Sequence, residues 1–355
     1  MKNIYNLTVG VMGEYLPYVV RPDGSEYYPL GEEFLKNVIT DIGLDKLMVY
    51  TYNNSNQSHA PQFMVNRAFC RIGSGNTATA TTDTQLVTQI ASTSALHTGA
   101  GANATDRTNV NTTGAVTHQW TYQFAPVGGA TTVNEIGVGW GESGATLLSR
   151  FVTPVTLTLL AGEILRVRWR FTISCPQFVT STDTVGSVIG FDAGGASPSR
   201  GLRITGNSTA LFGGVSAAGD MDNNVGGFGL IGLLQSGVDG NAWGYLMTAH
   251  LASNTVFPAV GTPTTVASLS LNISNFSRTY TGTGSGVSPK YLDRVYEFTP
   301  TQPASTVTNV SAFIIQAGGA LDYPVTQMVI LFDNPQIKAN THRLRFGIRT
   351  SLTRL

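Results

Sequence analysis

Arginines recur at every second position in two stretches of this chain. ILRVRWRFTIS (164–174) carries Arg166, Arg168 and Arg170, and RLRFGIRT (343–350) carries Arg343, Arg345 and Arg349 on one parity. A guanidinium is a permanently charged, planar donor suited to carboxylates, phosphates and carbonyl oxygens. The two-residue period is that of a β-strand, so the arginines of each run share one face. Val167, Trp169, Phe171 and Ile173, and in the second run Leu344, Phe346 and Ile348, share the opposite face. Such a row could be a nucleic-acid stripe, part of a catalytic site, or the outer face of a structural strand.

A single-stranded nucleic-acid site pairs its basic groove with aromatics on the same surface, so that bases can stack. Within these strands the rings lie on the parity opposite the arginines. The chain also has 21 basic and 21 acidic residues and no net charge, where a nucleic-acid binder usually carries a basic excess. The expectation is therefore a structural face. Arg166, Arg168, Arg170, Arg343, Arg345 and Arg349 are interface candidates that pair with carboxylates or backbone carbonyls of an adjacent subunit.

Other chemistry finds little footing. His59, His97, His118, His250 and His342 are scattered, with no zinc-type spacing. No GxSxG elbow occurs, and the glycine clusters at 137–141 and 282–286 do not open a helix after a strand, as a phosphate cradle requires. Asp220, Asp222 and Asn224 resemble the start of a calcium loop, but Val225 and Ile231 stand where that loop needs Gly and Glu. Glu32 and Glu33 read as favourable charges at a helix start. The expectation is no catalytic residue, no metal and no cofactor. The alternative is a glycan-binding fibre tip, which would stack sugars on exposed rings such as Trp243, Tyr245 and Tyr280.

These residues must be positioned mostly by strands. MVNRAFCRI, HQWTYQF, VNEIGVGW, TLLSRFV and ILRVRWRF alternate, and the pattern resumes in GLRITG, YLDRVYEFT, SAFIIQA, TQMVILFD and HRLRFGIRT. Forty glycines and many Thr, Ser and Asn residues supply turns, and Pro22-Asp23-Gly24 marks one near the start. Phe34, Leu35, Val38, Ile39 and Ile42 recur at helical spacing, which predicts one short helix near 32–43 that Gly43 ends. The fold class expected is all-β: two β-sandwich (jelly-roll-like) domains with one short N-terminal helix, at 1–180 and 201–355, joined by a junction at 181–200. Both halves place a proline before the arginine strand, FVTP at 151–154 and FDNP at 332–335. That suggests a duplicated sandwich with a strand edge or bend at each proline.

Charged residues make up only 12% of the chain, about half the globular average. A neutral, charge-poor surface tolerates close contact with copies of itself or other proteins. Nothing at the N-terminus reads as a signal peptide, and no apolar run predicts a membrane helix. Cys70 and Cys175 are expected to be buried thiols in a reducing compartment.

The order of these signals resembles a broad group of tailed-bacteriophage virion proteins of tail, collar or fibre type. FLKNVITDIGLDKL (34–47), AFCRIGSGNTATATTDTQLVTQIAST (68–93) and NEIGVGWGESGATLLSRFVTPVTLTLLAGEILRVRWRFTI (134–173) carry the resemblance, over about residues 15–175. It implies a non-enzymatic virion component near the tail, collar or fibre-attachment region, made in the host cytoplasm. Its partners would be copies of itself and other virion proteins, with a host surface glycan as a further partner, no nucleic acid and no membrane insertion.

Overall fold

The computed structural model describes residues 5–48, 68–97, 108–112, 115–174 and 343–355, and shorter strands between 184 and 338, for which backbone pairing is described. The first half contains β1 (Tyr5–Val20), β2 (Glu26–Tyr27), β3 (Leu35–Lys36), β4 (Val38–Ile39), α1 (Asp41–Met48), β5 (Phe69–Gly73) and β6 (Gln89–Thr93). It continues with β7 (Thr108–Thr112), β8 (Ala115–Gln123), β9 (Thr131–Gly139), β10 (Leu147–Leu159) and β11 (Ile164–Ser174). After it come β12 (Thr184–Val185), β13 (Phe191–Asp192), β14 (Leu202–Thr205), β15 (Leu246–Ser253) and β16 (Arg278–Thr281). The last four are β17 (Lys290–Phe298), β18 (Val307–Gly318), β19 (Val325–Lys338) and β20 (Arg343–Arg354).

The described residues are all-β with one short helix, as the alternation predicts. A large sheet runs in the order β16-β17-β20-β1-β11-β8-β7, a second runs β4-β10-β9-β5-β6, and a third runs β12-β14-β19-β18-β15. The first two face each other in the N-terminal half. Tyr15 on β1 reaches across to β10, its hydroxyl 2.8 Å from Ser149 Oγ and its ring 6.0 Å from that of Phe151. Between the sheets lie Val11, Tyr15, Leu165, Val167, Trp169 and Phe171 from one side, and Cys70, Ile72, Ile136 and Val138 from the other, all buried. Each large apolar side chain so buried contributes on the order of 1.5–3 kcal/mol of transfer free energy. Trp169 packs against Trp120 at 4.9 Å and Phe171 at 5.5 Å, so the apolar parity of the arginine strand is the core.

The helix lies further along the chain than its sequence pattern predicts. Residues 35–36 and 38–39 are extended and pair with β1 and β10, with Leu35 opposite Tyr15 and Ile39 opposite Ser149. Of the apolar residues at helical spacing, Leu35, Val38 and Ile39 instead lie in two strands and only Ile42 lies in the helix. The helix starts where Thr40 can cap it: Thr40 Oγ1 accepts from Gly43 N at 2.9 Å and donates to Leu147 O at 2.5 Å. Gly43 therefore lies inside the helix, where a Cβ would come within 2.5 Å of Leu148 O. It allows close packing on β10 and does not end the helix.

Pro154 falls where β10 leaves its register with β9, between Val152 and Leu157. Pro335 falls in the matching break of β19 against β18, between Leu331 and Gln336. Both prolines thus mark bends, as expected of a residue that cannot donate to a ladder. The turn at 22–24 forms as read, with Gly24 at φ 84° and its N–H donating to Arg21 O at 2.9 Å. The last strand of the chain crosses the expected junction. β20 lies parallel to β1, from Tyr5 opposite Ile348 to Val11 opposite Arg354, so one sheet holds strands from both sides of residues 181–200.

Candidate interaction face and the buried arginines behind it

Arg166, Arg168 and Arg170 lie in β11 between β1 and β8, which fixes their neighbours. Across one ladder they sit opposite Tyr18, Leu16 and Glu14, and across the other opposite Gln123, Thr121 and Gln119. Arg166 Nε donates to Gln123 Oε1 at 2.9 Å, and its Nη1 lies 3.6 Å from Glu26. Arg170 Nη2 donates to Gln119 Oε1 at 3.2 Å, with Nη1 3.8 Å from Glu14. Such partly exposed pairs contribute little to stability individually.

Rings join the arginines on this face. The Arg168 guanidinium lies 5.4 Å from the Tyr18 ring, Tyr18 stacks on Tyr28 at 5.2 Å, and Arg170 lies 3.6 Å from the Phe34 ring centre. The aromatics of β11 itself point into the core, as its parity requires. The neighbouring strand and the segment after the 22–24 turn bring other rings to the arginine side, a contribution that parity within one strand does not reveal. Burial raises the Tyr18 phenol above its ordinary value.

In β20 the backbone register gives each arginine a carboxylate residue directly opposite. Arg343 faces Asp192 of β13, and Arg345 and Arg349 face Glu297 and Asp293 of β17.

Among the described residues, a buried polar cluster forms from residues that sequence alternation does not single out. Arg71, Glu135 and Arg150 come from three adjacent strands on the outer face of the second sheet, and all three are fully buried. Arg150 bonds Glu135 through Nε at 3.0 Å and Nη2 at 2.9 Å, Asp83 through Nη1 at 2.8 Å, and Thr77 O through Nη2 at 3.0 Å. Glu135 also accepts backbone N–H groups from Gly75 (3.2 Å), Val87 (3.0 Å) and Thr88 (2.8 Å). Arg71 donates to Gly141 O at 2.9 Å, to Gly144 O at 3.0 Å and to Thr146 Oγ1. Burial lowers the Arg71 pKa from its ordinary value.

Two loops, 74–88 and 140–146, are thus tied to the sheet by buried charge. Glycine makes the approach possible: a Cβ on Gly73 would lie 2.5 Å from Glu135 Oε1 and Thr88 O. The available signal was a lone charged residue inside each of AFCRIG, VNEIGVG and TLLSRFV. A charge on the non-core parity of a strand ordinarily reads as solvent-facing, and the loops that cover this one have no periodic pattern.

A third arginine acts at the chain end. Arg354 donates to Ile39 O at 2.6 Å and pairs with Asp41 at the start of α1. Leu355 N donates to Val11 O at 3.0 Å.

Among the other residues read for chemistry, His97 is half-buried and Cys70 is a buried free thiol. Burial raises the Cys70 pKa, and the neighbouring Arg71 charge opposes the shift only partly. Cys175, Asp220, Asp222, Asn224, Trp243 and Tyr245 lie outside the described residues, as does the side chain of Tyr280. Among the described residues no group of three or more His, Cys, Asp or Glu side chains could hold a metal, and no helix is long and apolar enough to cross a membrane. Comparison with protein-family models, curated proteins and solved structures gives no match.

Proposed function

We propose that the chain is a non-enzymatic structural component of a bacteriophage virion, in the tail, collar or fibre-attachment region, packed against copies of itself and other virion proteins. The observation that carries this reading is the pair of loops held by buried arginines. Thr77, Thr81, Thr82 and Gln85 on one loop, and Ser143 and Ala145 on the other, expose a polar surface on a backbone fixed from below, with Glu142 its exposed charge. Loops already held in one shape lose little entropy when a neighbour docks on them. A surface poor in charge has little to desolvate on docking.

The ordered resemblance of residues 15–175 to tailed-phage virion proteins adds independent support, as does the zero net charge. The protein would be made in the host cytoplasm, where the buried thiol of Cys70 stays reduced.

The test is a protein gel with mass spectrometry of density-purified particles of the phage that encodes the chain. The reading expects a full-length band at a fixed number of copies per particle. Its absence from intact particles would refute the reading.

A further inference from the structure

We infer that the chain is a tandem duplication of one eight-stranded unit, and that the two units meet along an interface made by the first strand of one and the last strand of the other. The inference rests on sheet pairing and is independent of any role in a particle.

In chain order the first unit is β1, β4, β5, β7, β8, β9, β10 and β11, and the second is β13, β14, β15, β16, β17, β18, β19 and β20. Six antiparallel pairings recur. β1–β11 corresponds to β13–β20, β8–β11 to β17–β20, and β7–β8 to β16–β17. In the other sheet of each unit β9–β10 corresponds to β18–β19, β5–β9 to β15–β18, and β4–β10 to β14–β19. Two unrelated sandwiches would have no reason to share all six in the same order.

The register agrees residue by residue from Leu147 to Leu157 of β10 and from Thr326 to Gln336 of β19. In the first unit Val152 lies opposite Glu135 and Leu157 opposite Val133. In the second, Leu331 lies opposite Ala312 and Gln336 opposite Val310, an equal excess on the proline-bearing strand. Counting back from those breaks, the row Cys70–Val138–Ser149 corresponds to Ala249–Ile315–Met328. Ile72–Ile136–Phe151 likewise corresponds to Leu251–Phe313–Ile330. Both rows of the second unit keep the apolar pattern of a core-facing row.

The outer row has diverged. Arg71–Gly137–Arg150 corresponds to His250–Ile314–Val329, and the Glu135 position to Ala312. Alanine and valine cannot form the buried arginine–carboxylate pair, so the first unit alone has these residues for holding its loops in this way. The seam between the units is the parallel β1–β20 ladder, reinforced by Arg354 on Ile39 and Asp41. On that edge of β20 the described residues of β13 pair with Arg343 and Leu344, and β1 pairs with Ile348 to Arg354.

Hydrogen exchange on the full-length chain tests both parts, in its intact form and after cleavage at a protease site inserted between Thr180 and Ser181. The duplication predicts strong protection in 115–174 and again in 290–354, with fast exchange at 153–156 repeated at 332–335. The seam predicts that amides 5–11 stay protected after cleavage and that the fragments elute together. Continuous protection through 332–335, or an unprotected 290–354, would overturn the duplication. Separation of the fragments with loss of protection at 5–11 would overturn the seam.

Discussion

Arg150 and Glu135 meet at 2.9 Å on the outer face of a β-sheet, and neither side chain is reached by solvent. A buried ion pair is usually no more stabilising than apolar residues of equal volume. Here the carboxylate also satisfies three loop N–H groups. The pair therefore fixes the path of the chain from Gly75 to Thr88 as well as two charges.

The first prediction follows from that double duty. Arg150→Met leaves Glu135 buried without its cation and should cost about 3–5 kcal/mol. In a simple buried pair, adding Glu135→Leu would recover much of this. Here it should not, because the N–H groups of Gly75, Val87 and Thr88 lose their acceptor, at about 1–3 kcal/mol for each group left unsatisfied. Urea unfolding of both single variants and the double variant measures the difference.

Arg71→Lys should destabilise by about 1–3 kcal/mol, since an ammonium cannot match the guanidinium fork on the Gly141 and Gly144 carbonyls and Thr146. Hydrogen exchange should rise selectively at 141–146, while the 74–88 loop stays as it is.

Gly43→Ala should also destabilise, although alanine is the better helix former by about 1 kcal/mol. The added methyl would meet Leu148 O, a backbone atom that cannot yield without moving β10. Thr40→Ala should lose about 1 kcal/mol with the cap. If Gly43→Ala raised the melting temperature, the packing of α1 on β10 would be wrong.

Alkaline pH should destabilise the fold through its buried and partly buried phenols and thiol, the Tyr18 phenol among them. Burial raises the pKa of Tyr15 and Cys70, and raises that of Tyr28 to about 12. Each stays neutral in the folded chain at a pH where the unfolded chain has already ionised. Their contribution is thus complete below the ordinary thiol value of 9.0 and shrinks as pH rises above it. Unfolding free energy should fall steadily between about pH 9 and 11, and Cys70→Ala should reduce the slope. In a Cys175→Ser background at pH 8, Cys70 should resist a thiol reagent until the protein unfolds.

The strands were legible because their sequence alternates. The parity of ILRVRWRF put Trp169 and Phe171 in the core and the arginines outside. The helix was misplaced because the residues at 34–39 share helical spacing by coincidence, while Thr40, the cap that sets the true start, is an ordinary residue in a chain rich in threonine. Arg71, Glu135 and Arg150 were not found because burial on the outer face depends on covering loops without periodic signal. The pairing of β1 with β20 joins residues over 300 positions apart, a relationship that no local pattern records.

The central claim, a place in the particle, is tested most directly by antibody labelling of purified phage viewed by electron microscopy. The account predicts label at regular positions on the tail, collar or fibre attachment of intact particles. Intact particles that carry no label, from a preparation whose antibody recognises the purified chain, would contradict it.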